Sequence, residues 1–248
     1  MSTIASELFE MLKRLHDSAV DLTPALKFDQ THKLHRATVA YYASIVELSG
    51  ACCELLNNNH TSAFPIVLRA VFEAHIDLIN LVKDPQYCYT LEIDLLKSQL
   101  EFLKLSKEGN IDYLSQITAK IDLDARLTDT QTALDAAKQK GTQRTISDKF
   151  VTADMKDEYK TLYAWLCSHS HNNLSTLSTR HIETTDAGTE MVMYRDSPLD
   201  DYQIWIGIAC ELLLRSIEVI HDFLKSDKGD EVKKLRAELI AYRNAAAK

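Results

Sequence analysis

The sequence predicts an all-α fold, and three observations carry that expectation. Only six Gly and four Pro interrupt 248 residues, so the regular elements must be long. Apolar residues recur at a helical three-to-four spacing from one end to the other. A single stretch, near 182–194, alternates as a strand would. The composition has no seam, and a chain of this length can bury one sizeable core. The expectation is therefore a single domain over 1–248, a bundle of about seven to eight helices with one short β-hairpin or extended loop near 182–194.

Taken in order, the first helix carries Ile4, Leu8, Leu12, Leu15, Ala19 and Leu22 on one stripe and ends at Pro24. The second starts near Thr31, turns Leu34, Tyr41, Ile45, Leu48, Cys52 and Leu55 inward, and stops at Asn57-Asn58-Asn59. Thr61 or Ser62 caps the third, Pro65 sits in its first turn where no N–H is needed, and the run to Val82 is apolar around most of its circumference. That helix is the expected centre of the bundle. A fourth runs from about Gln86 to Lys107 and ends at Gly109. The more polar segment 111–140 reads as one long or two shorter helices projecting from the core, exposed and mobile. Residues 142–156 read as an irregular connection. Asp157 then starts a helix leading to the turn Ser168-His169-Ser170-His171-Asn172-Asn173. Ile182 and Thr184, then Met191 and Met193, flank Asp186-Ala187-Gly188 as the arms of a hairpin. Pro198 opens an apolar helix through Trp205 to Leu224, and a charged helix from Asp230 to about Ala246 follows Gly229.

Bulk properties exclude several classes. A net charge of −8 gives no broad positive field for a polyanion, so any nucleic-acid site must be small and local. Five cysteines, an odd number with no CxxC pair, argue against a disulfide framework or zinc knuckle and for a reducing, cytoplasmic setting. No run approaches the roughly 18 apolar residues of a spanning helix. Met1-Ser2-Thr3-Ile4 lacks the charged start of a secretory signal. No membrane association is expected.

Two segments hold the candidate chemistry. On the third helix, Arg69, Glu73, Asp77 and Asn80 fall within roughly 80° of arc. Such a stripe is either the solvated face of a bundle helix, with Arg69 and Glu73 an ordinary i,i+4 pair, or a buried cluster that demands partners from another helix. His75 lies about 120° away among Leu68, Val71 and Ile79, the place of a core histidine. In the second segment Tyr163, Cys167 and Ser170 share a face with His171 at its edge, while His169 sits opposite with Trp165. His169 and His171 cannot chelate one metal from opposite faces, and a third or fourth ligand at recognisable spacing is missing. Glu218-x-x-His221 is one Glu-x-x-His where a di-iron bundle needs two. With no phosphate-cradling Gly loop or serine elbow either, neither a metal nor a cofactor is expected. Cys167 lies near His171 but nothing local activates its thiol.

These residues carry a resemblance. Arg69-x-x-x-Glu73 on an apolar helix, followed by Tyr163-x-x-Leu166-Cys167-x-x-x-His171, resembles the bacterial domain-of-unknown-function 5677 family, which pairs an Arg-x-x-Phe-Glu helix with a Tyr-x-x-Leu-Ser-x-x-x-His segment. Cys167 stands where that family usually has serine. Arg69-x5-His75 also fits the loose Arg-x(4–6)-His pattern of the higher eukaryote and prokaryote nucleotide-binding (HEPN) helical ribonucleases. The resemblance implies that the two segments meet in one bundle. Arg69, Glu73 and His171 would then be catalytic, with Arg69 on a phosphate or carboxylate and His171 as general acid or base, and Tyr163, Asp77, Asn80 and Cys167 would bind substrate. The expected activity is a metal-independent ribonuclease or nucleotide-directed effector of a toxin or phage-defence type, with RNA or a nucleotide as ligand. The alternative is a non-catalytic interaction or small-ligand sensor protein, whose polar cluster is structural and which works through a protein partner. A homodimer is expected because apolar bundle helices often pair across a two-fold axis.

Overall fold

The computed structural model describes residues 4–246 apart from Asn172, Ala187, Tyr194 and Asp196, and does not describe the side chains of Ser115, Ala245 and Ala246. The expectations for Met1-Ser2-Thr3, for Asn172 in the histidine-rich turn and for Ala187 in the hairpin turn lie outside the described residues. Among those described, the chain is all-α with one antiparallel hairpin. The helices are α1 (Ile4–Leu22), α2 (Lys33–Asn57), α3 (Phe64–Lys83), α4 (Tyr87–Glu108), α5 (Asp112–Thr118), α6 (Leu123–Lys138), α7 (Ile146–Thr152), α8 (Lys156–Glu158), α9 (Ala164–Ser170), α10 (Leu174–His181), α11 (Gln203–Phe223) and α12 (Gly229–Ala246). The strands β1 (Ile182–Thr185) and β2 (Gly188–Met191) pair with Ile182 opposite Met191. A π turn over Tyr159–Tyr163 joins α8 to α9 as one continuous helix.

There are thus more helices than the seven to eight expected. Segment 111–140 takes the two-helix form, α5 and α6, and the unexpected helices are short: α7 has seven residues and α10 has eight, too few to repeat a hydrophobic stripe over several turns. The expected irregular connection at 142–156 in fact holds α7. Its start is a reciprocal cap: the Thr145 N–H donates to Asp148 Oδ2 at 3.1 Å and the Asp148 N–H donates to Thr145 Oγ1 at 3.1 Å. Thr145-x-x-Asp148 is a capping signature legible in the sequence.

The chain packs as two compact units, residues 1–82 with 150–248, and residues 83–149. In the first, α1, α2, α11 and α12 pack together, with Leu12, Leu15, Ile45, Leu213 and Ile217 wholly buried. By length and composition α2 could cross a membrane. Here it packs on α1 and α11 through Tyr42, Ile45, Ser49, Cys52 and Leu56. Leu34, Ile45 and Cys52 are buried as expected, while Tyr42, Ser49 and Leu56 take the places of Tyr41, Leu48 and Leu55, which lie half-buried at the edge of the face.

His75 occupies the core, as its place on the helical wheel predicts. It is fully buried, with Nδ1 2.7 Å from Ser216 Oγ on α11. Ser216 already donates its proton to the Leu212 carbonyl, so it accepts from His75 and the ring carries its proton on Nδ1. Burial first, and the Arg215 charge second, hold its pKa down to about 3 from 6.5. The unfolded chain therefore binds a proton that the folded chain refuses: stability is full above about pH 6.5 and falls as pH drops towards 3. Urea unfolding should show about 2 kcal/mol less stability at about pH 5 than at about pH 7.5 from this residue. His75→Gln should flatten that slope; an unchanged slope would mean that the ring is not held neutral.

In the second unit α6 lies along α4, with Leu134 and Ala137 packed on Ile93 and Leu100. Gly141 follows α6 where the chain passes Tyr89; a Cβ there would come within 2.7 Å of the Tyr89 Cβ. Segment 111–140 is therefore built into this unit, with α5 and α6 exposing most of their polar surface.

Candidate functional site

Arg69 and Glu73 lie one turn apart on α3, the helix that buries Leu68, Phe72, His75 and Ile76. Opposite them the π turn ends at Tyr163, and such turns often occur at functional positions. The Tyr163 hydroxyl accepts from Arg69 Nη2 at 3.2 Å and donates to Glu73 Oε1 at 2.6 Å, while Arg69 Nη2 stands 2.9 Å from the same carboxylate oxygen. The Tyr163 ring packs against Phe150 at 4.8 Å and Tyr159 at 5.7 Å, and the Arg69 guanidinium lies 5.4 Å from its centre. Burial, reinforced by the acceptor Glu73, pushes the phenol well above its ordinary pKa, so it stays a donor. Burial works against the Arg69 charge, but Tyr163 and Glu73 outweigh it and its pKa rises.

Two polar segments some 90 residues apart do meet, and Cys167 is close enough to act electrostatically on both Arg69 and Tyr163. The charge of Arg69 is nevertheless already met by a carboxylate and a phenol. His171 lies about 12 Å further along the helix than Tyr163, at the rise of 1.5 Å per residue. It is exposed, and its backbone N–H caps Cys167 O at 3.0 Å. Asp77 is half-buried one turn beyond Glu73, and Asn80 is wholly enclosed. The structure unites Arg69, Glu73, Tyr163 and Cys167, leaves His171 at a helix end, and gives Asn80 no access to solute.

A second locus was not singled out in the sequence. A cleft of about 690 Å³ opens between the start of α3, the outer face of α9, α10, the hairpin and the start of α11, within the size range of small-ligand pockets. Trp165 and His169 line it from α9, sharing the face that helical spacing predicts for them, and Tyr202 and Trp205 line it opposite. The two tryptophan rings touch at 4.5 Å. Arg180 Nη2 is 3.0 Å from His169 Nδ1. A guanidinium can only donate, so Nδ1 accepts and the neutral ring bears its proton on Nε2. Burial, then the Arg180 charge, lower the His169 pKa. His181 has the opposite tautomer: Nδ1 lies 3.2 Å from the Val192 carbonyl, which can only accept, leaving Nε2 as the ring's accepting nitrogen. Arg195, also lining the cleft, donates to the Ile182 carbonyl at 3.0 Å. Among the described residues no carboxylate pairs with Arg180, and burial lowers its pKa. Glu183 and Asp201 are the acidic members of the lining.

Sequence reading missed Arg180 and His181 because α10 was not recognised. Asn173 caps it, accepting from the Ser175 N–H at 2.9 Å, and an Asn two residues before a Ser/Thr-rich run was the available signal. Among the described residues no three His, Cys, Asp or Glu side chains gather as a metal-ligand set.

The model of a family of unknown function, DUF5677, matches residues 35–189. The chain belongs to this family. No curated protein and no solved structure matches the chain. The matched stretch contains Arg69, Glu73, Tyr163, Cys167 and His171, and also the cleft residues Trp165, His169, Arg180 and His181. The opposite wall, Tyr202 and Trp205, lies beyond it.

Proposed function

We propose that the chain is a metal-independent, nucleotide-directed effector that cleaves RNA in this cleft, with a helical architecture similar to that of the HEPN ribonucleases of toxin and phage-defence systems. The observation that carries the reading is a pair of cleft histidines in opposite tautomers, one presenting an acceptor nitrogen and the other a donor bound to an arginine that no carboxylate among the described residues pairs with. His181 Nε2 takes the proton of a 2′-hydroxyl as that oxygen attacks the adjacent phosphorus. The P–O5′ bond breaks, solvent protonates the departing 5′ oxygen, and a 2′,3′-cyclic phosphate and a 5′-hydroxyl result. Arg180 and the Nε2–H of His169 meet the charge that builds on the phosphoryl oxygens. This moves the acid–base role from His171 to His181, and the charge-stabilising role from Arg69 to Arg180 and His169. The Arg69–Glu73–Tyr163 cluster acts as a brace that sets the rotation of α9. With a net charge of −8 the protein relies on local charge to hold RNA.

The test is incubation of purified protein with RNA in chelator. Cleavage ending in cyclic phosphate, lost in His181→Gln and kept in His171→Gln, supports the reading. A folded wild-type protein that leaves all RNA intact overturns it, as does loss confined to His171→Gln. The second reading, a non-catalytic sensor or interaction protein in the cytoplasm that works as a homodimer or with another protein, draws on the exposed Leu174, Met191 and Met193 beside the cleft. Tight partner binding without turnover would favour it.

A further inference from the structure

We infer that the cleft receives a single nucleoside monophosphate unit, its base stacked on Trp165 and its phosphate on Arg180. This rests on the nucleotide-directed reading of the cleft, but not on turnover there. Trp165 is 51 % exposed, while Trp205 behind it is 4 % exposed and braces it at an interplanar angle of 58°. A large apolar ring held rigid and left open at a cleft wall is a ready stacking platform for a flat heterocycle.

The other end of the site follows from the helix. His169 lies one turn beyond Trp165, about 6 Å along the axis, and binds Arg180. The platform and the His169–Arg180 pair therefore follow one another by a single helical turn on one face of α9. Thr176 and Thr179 line the same cleft and supply hydroxyls for a sugar. Arg180 is half-buried, its recorded side-chain partner is His169 Nδ1, and no carboxylate among the described residues pairs with it, so its remaining N–H groups can give an incoming phosphate a charge-assisted bond. Glu183 and Asp201 limit the charge that the cleft tolerates. Against Arg180 and Arg195 they leave a nearly balanced site, suited to one phosphate and opposed to a triphosphate.

The chain has two tryptophans, and both line this cleft. Intrinsic tryptophan fluorescence of the full chain therefore reports on it alone. Titration with adenosine 5′-monophosphate should give a saturable change. Adenosine, inorganic phosphate and adenosine triphosphate should each bind at least about tenfold more weakly, the order of one lost charge-assisted contact. Arg180→Gln should weaken the monophosphate about tenfold or more and leave adenosine unchanged, with Arg180→Lys recovering part of the loss. Trp165→Phe should weaken both the monophosphate and adenosine, read by calorimetry because one of the two fluorescent probes is removed. Thermal melts verify that each variant is folded. The inference falls if the wild-type chain shows no saturable response to the monophosphate, or if folded Arg180→Gln binds it as the wild type does. Monophosphate binding without RNA cleavage would keep this site and remove the ribonuclease reading; cleavage without such binding would do the reverse.

Discussion

Replacing His181 with alanine is expected to lower RNA cleavage by about 10²- to 10⁴-fold, the range associated with a positioned general base. The Val192 carbonyl fixes the Nδ1 proton of His181, so the accepting nitrogen is present before substrate arrives. A base acts in the transition state and contributes little to ground-state binding, so kcat should fall with KM nearly unchanged. Arg180→Gln should instead raise KM as well, because its charge meets the phosphate both before and during reaction. A loss in KM alone would mean that His181 only binds, and the acid–base assignment would fail.

Phe150→Ala is expected to cost about 3–5 kcal/mol of stability, the largest structural effect among the residues near the site. Phe150 is wholly buried, 5.2 Å from Phe72, 5.3 Å from Tyr159 and 4.8 Å from Tyr163 by ring centres. Truncation removes its transfer energy and its ring contacts, and leaves a cavity directly behind the brace. Glu73→Ala should cost only about 0–1 kcal/mol, because the Glu73 and Arg69 side chains are 38 % and 25 % exposed and water screens the pair. Urea midpoints of the two variants measure both. A Phe150→Ala cost near that of Glu73→Ala would show that α7 does not pack where the aromatic cluster places it. If the brace sets the rotation of α9, Phe150→Ala should also reduce ligand binding at the cleft at temperatures where the protein is still folded.

The main helices were legible because each advertises itself locally. The α3 start, with Pro65 in its first turn, the α4 end before Gly109, the α12 start at Gly229 and the hairpin all lie where caps, breakers and alternation put them. Of the candidate site, the pairing of the Arg69–Glu73 helix with the Tyr163 segment was legible through the family motif. The proposed chemistry lies in the cleft on the other face of α9, which the motif does not mark. Arg180 and His181 escaped notice because an eight-residue helix has no stripe long enough to read, and because a histidine beside an arginine means nothing until its neighbours are known.

The amino-acid order alone determined the helical class, the single hairpin, the burial of His75 and the family. Those properties depend on spacing along one element, and a period of 3.6 or 2 is written in adjacent residues. Tertiary structure alone decided that Arg69 is met by partners on two helices, that His169 and His181 hold opposite tautomers, and that two tryptophans 40 positions apart touch at one cleft. Each of these turns on the rotation of one helix against another. A residue or less of rotation, as α2 shows, exchanges buried side chains for their neighbours, and no local pattern specifies it.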